Sequence, residues 1–122
     1  GNAAGFALTL PEEKMFQTRS ELMAAMATAL AGRAAEEMIF GREQVTTGAA
    51  GDIQRARSIA GKMAGEWEMG EQGDPEGRLL FDAAYRMARR TLEARREQLD
   101  RVAEALLRQE QLTERAFEEL CN

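Results

Sequence analysis

Histidine is absent from this 122-residue sequence, and that absence excludes more chemistry than any other count. A Ser-His or Cys-His nucleophile pair cannot be assembled from these residues, and zinc hydrolases usually present imidazole ligands. The single cysteine, Cys121, rules out an internal disulfide framework and fits a reducing compartment; one residue from the end, it is a poor nucleophile. Aromatics make up 6% of the chain and β-branched residues are few, which argues against a β-rich architecture. No apolar run approaches the roughly 20 residues that span a bilayer, and nothing has the form of a signal peptide. A wide positive surface is also missing: 16 basic residues are interleaved with 21 acidic ones, for a net charge of -5, so no nucleic-acid partner is expected.

What is present is helical in character. Hydrophobic residues make up 44% and charged residues 30%, with Ala, Leu, Met, Glu and Arg prominent. The pattern predicts a mainly α fold, a helical bundle with a small N-terminal β-hairpin, in one domain over residues 1–122. Phe6, Leu8 and Leu10 alternate as in a half-buried strand; Pro11 to Lys14 reads as a turn, and Met15 to Thr18 as a short returning strand, so the hairpin covers residues 1–18. Thr18 and Glu21 have the spacing of a capping box, which starts a helix over residues 19–40. Its stripe is Leu22, Met26, Leu30, Ala34 and Met38, read as core rather than as a cofactor site, and Gly41 supplies its stop.

A second helix is expected over residues 49–69, with Ile53, Ala56, Ala60, Met63 and Trp67 on one face and Gly70 as terminator. Gly61 and Gly65 within it point to close backbone packing. Asp74-Pro75 reads as a cap followed by a first helical residue. Helix then continues over 75–109 as one rod or two, with a break placed near Arg95 to Gln98, and Thr113 caps a last helix over 113–120.

The stretch Val45-Thr46-Thr47-Gly48-Ala49-Ala50-Gly51-Asp52-Ile53-Gln54-Arg55-Ala56 is a small-residue turn entering a helix with one acid in its opening turn. A carboxylate there faces the exposed N–H groups and the positive end of the helix dipole, so it stays ionised and is aimed by the backbone. Asp52 therefore suits either of two roles: satisfying the helix terminus, or binding a cation or an anchored water.

Several stretches, in order along nearly the whole chain, resemble the peptidase domain of the FtsH family of membrane-anchored ATP-dependent zinc proteases. Leu30 to Gly41 is similar to that family's Gly-Arg-Ala-Ala-Glu-Glu helix, and Val45 to Ala56 to its Thr-Gly-Ala-x-x-Asp segment. Gly5-Phe6 with Leu10-Pro11-Glu12-Glu13 resembles its strand and turn, and Asp82 to Leu107 its C-terminal helices. The resemblance implies that Asp52 stands at the third zinc-ligand position, beside two imidazoles and a catalytic glutamate that the family draws from a His-Glu-x-x-His helix. A zinc ion with three protein ligands keeps a place for water and lowers its pKa. Glu36 and Glu37 are implied candidates to accept a hydrogen bond from a ligating imidazole.

The same resemblance implies zinc as cofactor, ATP bound in a separate domain, protein substrates, a homo-oligomer (hexameric in the family) and a place on the cytoplasmic face of a membrane-anchored parent. The His-Glu-x-x-His helix, which precedes Gly1 in the family's order, is not among these residues. Gly51 stands where the family often has asparagine, and the link from Met69 to Asp74 is shorter than the family's. The chain begins with Gly1 rather than Met, as a fragment or processed product does. These departures predict no catalytic residue in this chain, no proteolysis by it alone, and an exposed apolar groove where the catalytic helix would pack, or a self-association or partner helix that fills it. The alternative expectation is a non-catalytic helical oligomerisation or interaction module derived from that domain.

Overall fold

The computed structural model describes residues 15–121. Four helices follow in order: α1 (Arg19–Phe40), α2 (Ala50–Ala64), α3 (Arg78–Glu93) and α4 (Arg96–Cys121), with short 3-10 turns at Arg42–Gln44 and Thr47–Ala49 between the first two. There is no strand among the described residues. Most of the expected hairpin, Gly1 to Lys14, lies outside them; of its second arm, Met15 and Phe16 form a bend and Gln17 and Thr18 lead into α1.

α1 begins where its capping box places it. Thr18 Oγ1 accepts from Glu21 N at 3.0 Å, and Thr18 N donates to Glu21 Oε1 at 2.9 Å. Its buried stripe is Leu22, Met26, Leu30 and Ala34, with Met38 half-buried. It stops at Gly41, whose φ of 84° and ψ of 157° only glycine adopts without strain.

α2 ends at Ala64, five residues before the expected Met69, because Gly65 leaves helical geometry at φ -100°, ψ -82°. The chain then doubles back: Trp67 N donates to Lys62 O at 2.8 Å, and Glu68 takes a left-handed φ of 49°. Trp67 thus falls beyond the helix and is exposed rather than on its buried face. Gly70 does not terminate the helix; it is where the returning chain crosses it, since a Cβ there would sit 2.8 Å from Ala64 Cα. Arg19 fastens this return to α1, donating from Nε to Met69 O at 3.0 Å and from Nη2 to Glu71 at 2.8 Å.

Asp74 caps α3, but from farther back than expected. Pro75 lies in a turn and the helix starts at Arg78, because Gly77 at φ 76° turns the chain so that Asp74 Oδ1 accepts from Arg78 N at 3.0 Å and Oδ2 from Leu79 N at 2.8 Å. Those bonds satisfy two first-turn donors and account for the burial of this acid.

The break between α3 and α4 falls at Ala94 and Arg95, at the upstream edge of the stretch expected to kink. No second break follows. Thr113 lies inside α4 and returns its hydroxyl to Gln109 O at 3.0 Å instead of capping a new helix. With neither glycine nor proline between Arg96 and Cys121, nothing interrupts the run of helix formers.

The core lies between α1, α2 and α3. Met26, Leu30, Met63 and Leu80 fill it, and Ala56, Ala60 and Ala84 let the helices approach closely. The closest approach is Gly77 over α2, where a Cβ would lie 2.3 Å from the Ala60 carbonyl oxygen. Gly61, expected to mark tight packing, has nothing within 4 Å of such a Cβ. The two glycines therefore respond oppositely to alanine. Gly77→Ala is expected to lower unfolding free energy by about 3 kcal/mol, through the clash and the positive φ. Gly61→Ala is expected to raise it by about 0.5–1 kcal/mol, and urea denaturation of the two variants checks both.

Candidate metal-ligand segment

The segment before α2 is held at one residue by the helix before it. Thr46 donates its hydroxyl to Glu36 Oε2 at 2.7 Å and its N–H to Glu36 Oε1 at 3.4 Å, while Arg33 Nη2 donates to the Thr46 carbonyl at 3.2 Å. All three polar groups of Thr46 are thus engaged by α1. The hydroxyl also accepts from Gly48 N at 3.1 Å, which shapes the Thr47–Ala49 turn. The spacing follows from helix geometry, since positions three apart on α1 share a face and turn Arg33 and Glu36 to the same loop.

α2 starts from this fixed turn. Its cap residue, Ala49, is buried and has no side chain with which to cap, and Asp52 is the only acid in the first turn. Asp52 is exposed, and its carboxylate has no hydrogen bond or ion pair among the described residues. The helix dipole favours its charge while both oxygens stay free.

Glu37 faces a different neighbour. Tyr85 on α3 donates its hydroxyl to Glu37 Oε1 across a cleft of about 380 Å³ lined also by Leu30, Arg33, Arg57 and Phe81. The Arg57 guanidinium lies 4.5 Å from the centre of the Phe81 ring. Burial, and the bond that Tyr85 donates to Glu37, hold this phenol above its ordinary pKa near 10, with Arg89 pulling the other way. The two candidates Glu36 and Glu37 therefore point apart, one to the Thr46 loop and the other to the three-helix cleft. Neither bonds Asp52. A separate apolar groove, about 280 Å³, opens beside Met15, Phe16, Leu22, Trp67 and Met69.

Among the described residues no group of three or more His, Cys, Asp or Glu side chains can hold a metal ion. One exposed carboxylate does not make a zinc site, so the donor set in hand fits at most one ligand of such a site. Sequence reading placed Asp52 correctly in the first turn of α2 but passed over Arg33, Thr46 and Tyr85. For the first two the signal lay in the quoted motifs themselves.

Comparison with known proteins identifies the family. The family model for peptidase family M41 matches residues 1–76. An ATP-dependent zinc metalloprotease FtsH of Neorickettsia risticii is 34% identical over 145 residues, covering 98% of this chain and 23% of the relative. One from Thermus thermophilus is 33% identical over 147 residues, covering 97% and 23%, and one from Mycoplasmopsis pulmonis is 47% identical over 74 residues, covering 60% and 10%. No solved structure matches the chain significantly. The segment that holds α1, the Thr46 loop and α2 thus lies within a peptidase-family match. The chain belongs to peptidase family M41, among the FtsH proteases. It spans less than a quarter of the length of these relatives. The alignments of 145 and 147 residues exceed the 122 of this chain, so those relatives carry residues that it lacks.

Two outcomes are expected at this site. Glu36→Ala removes the acceptor of two Thr46 bonds, worth about 1 kcal/mol, so amide exchange at Thr46 and Gly48 should speed about five-fold while the core amides are unaffected. For Tyr85, a folded-state pKa raised above the unfolded one means that the unfolded chain loses its proton first as pH rises. Stability is therefore kept below about pH 10 and falls above it, and Tyr85→Phe should abolish that alkaline slope in pH-dependent urea melts.

Proposed function

We propose that this chain is the part of an ATP-dependent zinc metalloendopeptidase that supplies the aspartate ligand, Asp52, and that it cleaves nothing by itself. The observation that carries the reading is the free, exposed carboxylate of Asp52 in the first turn of α2, behind a loop clamped at Thr46, in a chain of family M41. This carboxylate bonds none of the first-turn N–H groups, so both its oxygens are open to a ligand while the dipole favours its charge. Imidazole ligands and the general-base glutamate have to come from other residues, since the chain has no histidine. Glu36 serves the site by holding the Thr46 loop; Glu37, with Oε2 unbonded, is the better placed of the pair to accept from an imidazole. Zinc supplies activation of a water in such a site. Protein substrates, ATP in a separate domain, a homo-oligomeric ring and a membrane-anchored parent facing the cytoplasm belong to the same proposal. No helix among the described residues is long and apolar enough to cross a membrane.

A second reading, a non-catalytic interaction module, is favoured by one observation: α4 carries exposed Leu106, Phe117 and Leu120 beyond the three-helix core. One experiment separates the two. The 122-residue chain should show no chelator-sensitive casein hydrolysis and only weak zinc binding. A longer chain with a His-Glu-x-x-His helix ahead of Gly1 should bind one zinc, and Asp52→Ala should weaken that binding at least 100-fold without changing the melting temperature. Equal zinc affinity with and without Asp52 refutes the protease reading and leaves the module.

A further inference from the structure

We infer that the cleft between α1, α2 and α3 and a hollow on the outer side of α3 form one track that docks a short acidic peptide segment of a partner protein, with an apolar side chain of that segment seated in the cleft. Asp52 lines neither half of the track, so the inference does not depend on the protease reading.

Basic and acidic residues are interleaved along the sequence, but the fold gathers cations here. Arg33, Arg42 and Arg57 line the cleft, while Arg86, Arg89 and Arg90 line the hollow, which has about 390 Å³. Tyr85 lines both and so joins them. Three acids share these walls, and two are already engaged: Glu37 accepts from Tyr85, and Glu93 lies 3.6 Å from Arg96, which is not part of the hollow. Asp82 alone has no hydrogen bond or ion pair among the described residues.

Of the six arginines only Arg33 has an ion pair, with Glu36 at 3.9 Å. Arg42, Arg57, Arg86, Arg89 and Arg90 are exposed and have none among the described residues. Five unpaired guanidinium groups thus surround one unpaired carboxylate, in a chain whose net charge is -5. The negative end of the α3 dipole accounts for Arg90, in the last turn, and for Arg89 just before it. It does not account for Arg57, in the middle of α2, or for Arg42, in the turn after α1.

Charge and shape together identify the occupant. Guanidinium groups bind carboxylates through paired hydrogen bonds, and clusters of them read acidic segments. The cleft floor is apolar, from Leu30, Ile53 and Phe81, and its volume of about 380 Å³ admits a large apolar side chain. Along α3 the track runs from Phe81 to Arg90, roughly 14 Å, which an extended segment of about four or five residues covers. A nucleic acid fits less well, because it brings a phosphate at every step toward Asp82 and Glu37, and the two aromatic rings of the walls are engaged, Phe81 under Arg57 and Tyr85 with Glu37.

Fluorescence anisotropy of the full 122-residue chain with a labelled Glu-Glu-Leu-Glu-Glu peptide tests this. Saturable binding is expected with a Kd below about 100 µM in about 50 mM salt, weakened at least five-fold in about 300 mM salt. The pair Arg86→Glu, Arg90→Glu should raise Kd at least ten-fold and Arg42→Glu at least five-fold, with the melting temperature unchanged because all three side chains are exposed. Lys-Lys-Leu-Lys-Lys should not bind, and Glu-Glu-Ser-Glu-Glu should bind at least five-fold more weakly than the leucine peptide. No binding at about 1 mM peptide, affinity indifferent to either set of arginines, equal affinity for the serine peptide, or tighter binding of an oligothymidylate of about five nucleotides overturns the proposal.

Discussion

The structure depends on how near α2 can come to α1 and α3. Ala56, Ala60 and Ala84 keep the contact surfaces shallow, so the long side chains of Met26, Leu30, Met63 and Leu80 meet in the middle and fill it. That approach leaves no room for a side chain where α3 begins, and Gly77 is there because Ala60's carbonyl occupies the space of a Cβ. Asp74 then caps α3 across the turn that Gly77 permits. One steric constraint thus sets the start of α3, its cap and the burial of the Asp74 carboxylate.

The same closeness explains how Thr46 comes to be controlled by α1. A loop of nine residues between α1 and α2 has few ways to close when the helices are packed side by side, and Gly41 and two 3-10 turns take up the reversal. Arg33 and Glu36 then find Thr46 within reach and engage its carbonyl, N–H and hydroxyl together. Each bond is modest alone. As a set they fix the residue from which α2 departs, and with it the direction in which Asp52 is presented.

How much of this was legible in the sequence varies with the range of the interaction responsible. The α1 start was readable because a capping box is local: Thr18 and Glu21 bond each other. The position of Asp52 in an opening helical turn was readable for the same reason. The end of α2 was not, since the decision between Gly65 and Gly70 rests on whether the chain doubles back over Ala64, and Arg19, far upstream, secures that return. Gly61 was read as a point of close approach and Gly77 was passed over, because tolerance of a Cβ depends on what faces the residue and not on its helix. Thr113 looked like a cap because threonine at such a spacing often is, but its hydroxyl can also satisfy the carbonyl four residues back, and there it does. Tyr85 gave no local signal; its bond to Glu37 spans two helices.

Asp52 and Asp74 show what the fold does with its acids. Both stand at a helix start, where the dipole favours a carboxylate. Asp74 is buried and gives its two oxygens to two backbone donors, so its charge is consumed in holding α3. Asp52 is exposed and bonds nothing among the described residues, although α2 has no other side chain to cap it. That α2 leaves both oxygens free, on a turn fixed by three bonds to α1, is what the ligand role proposed for Asp52 requires.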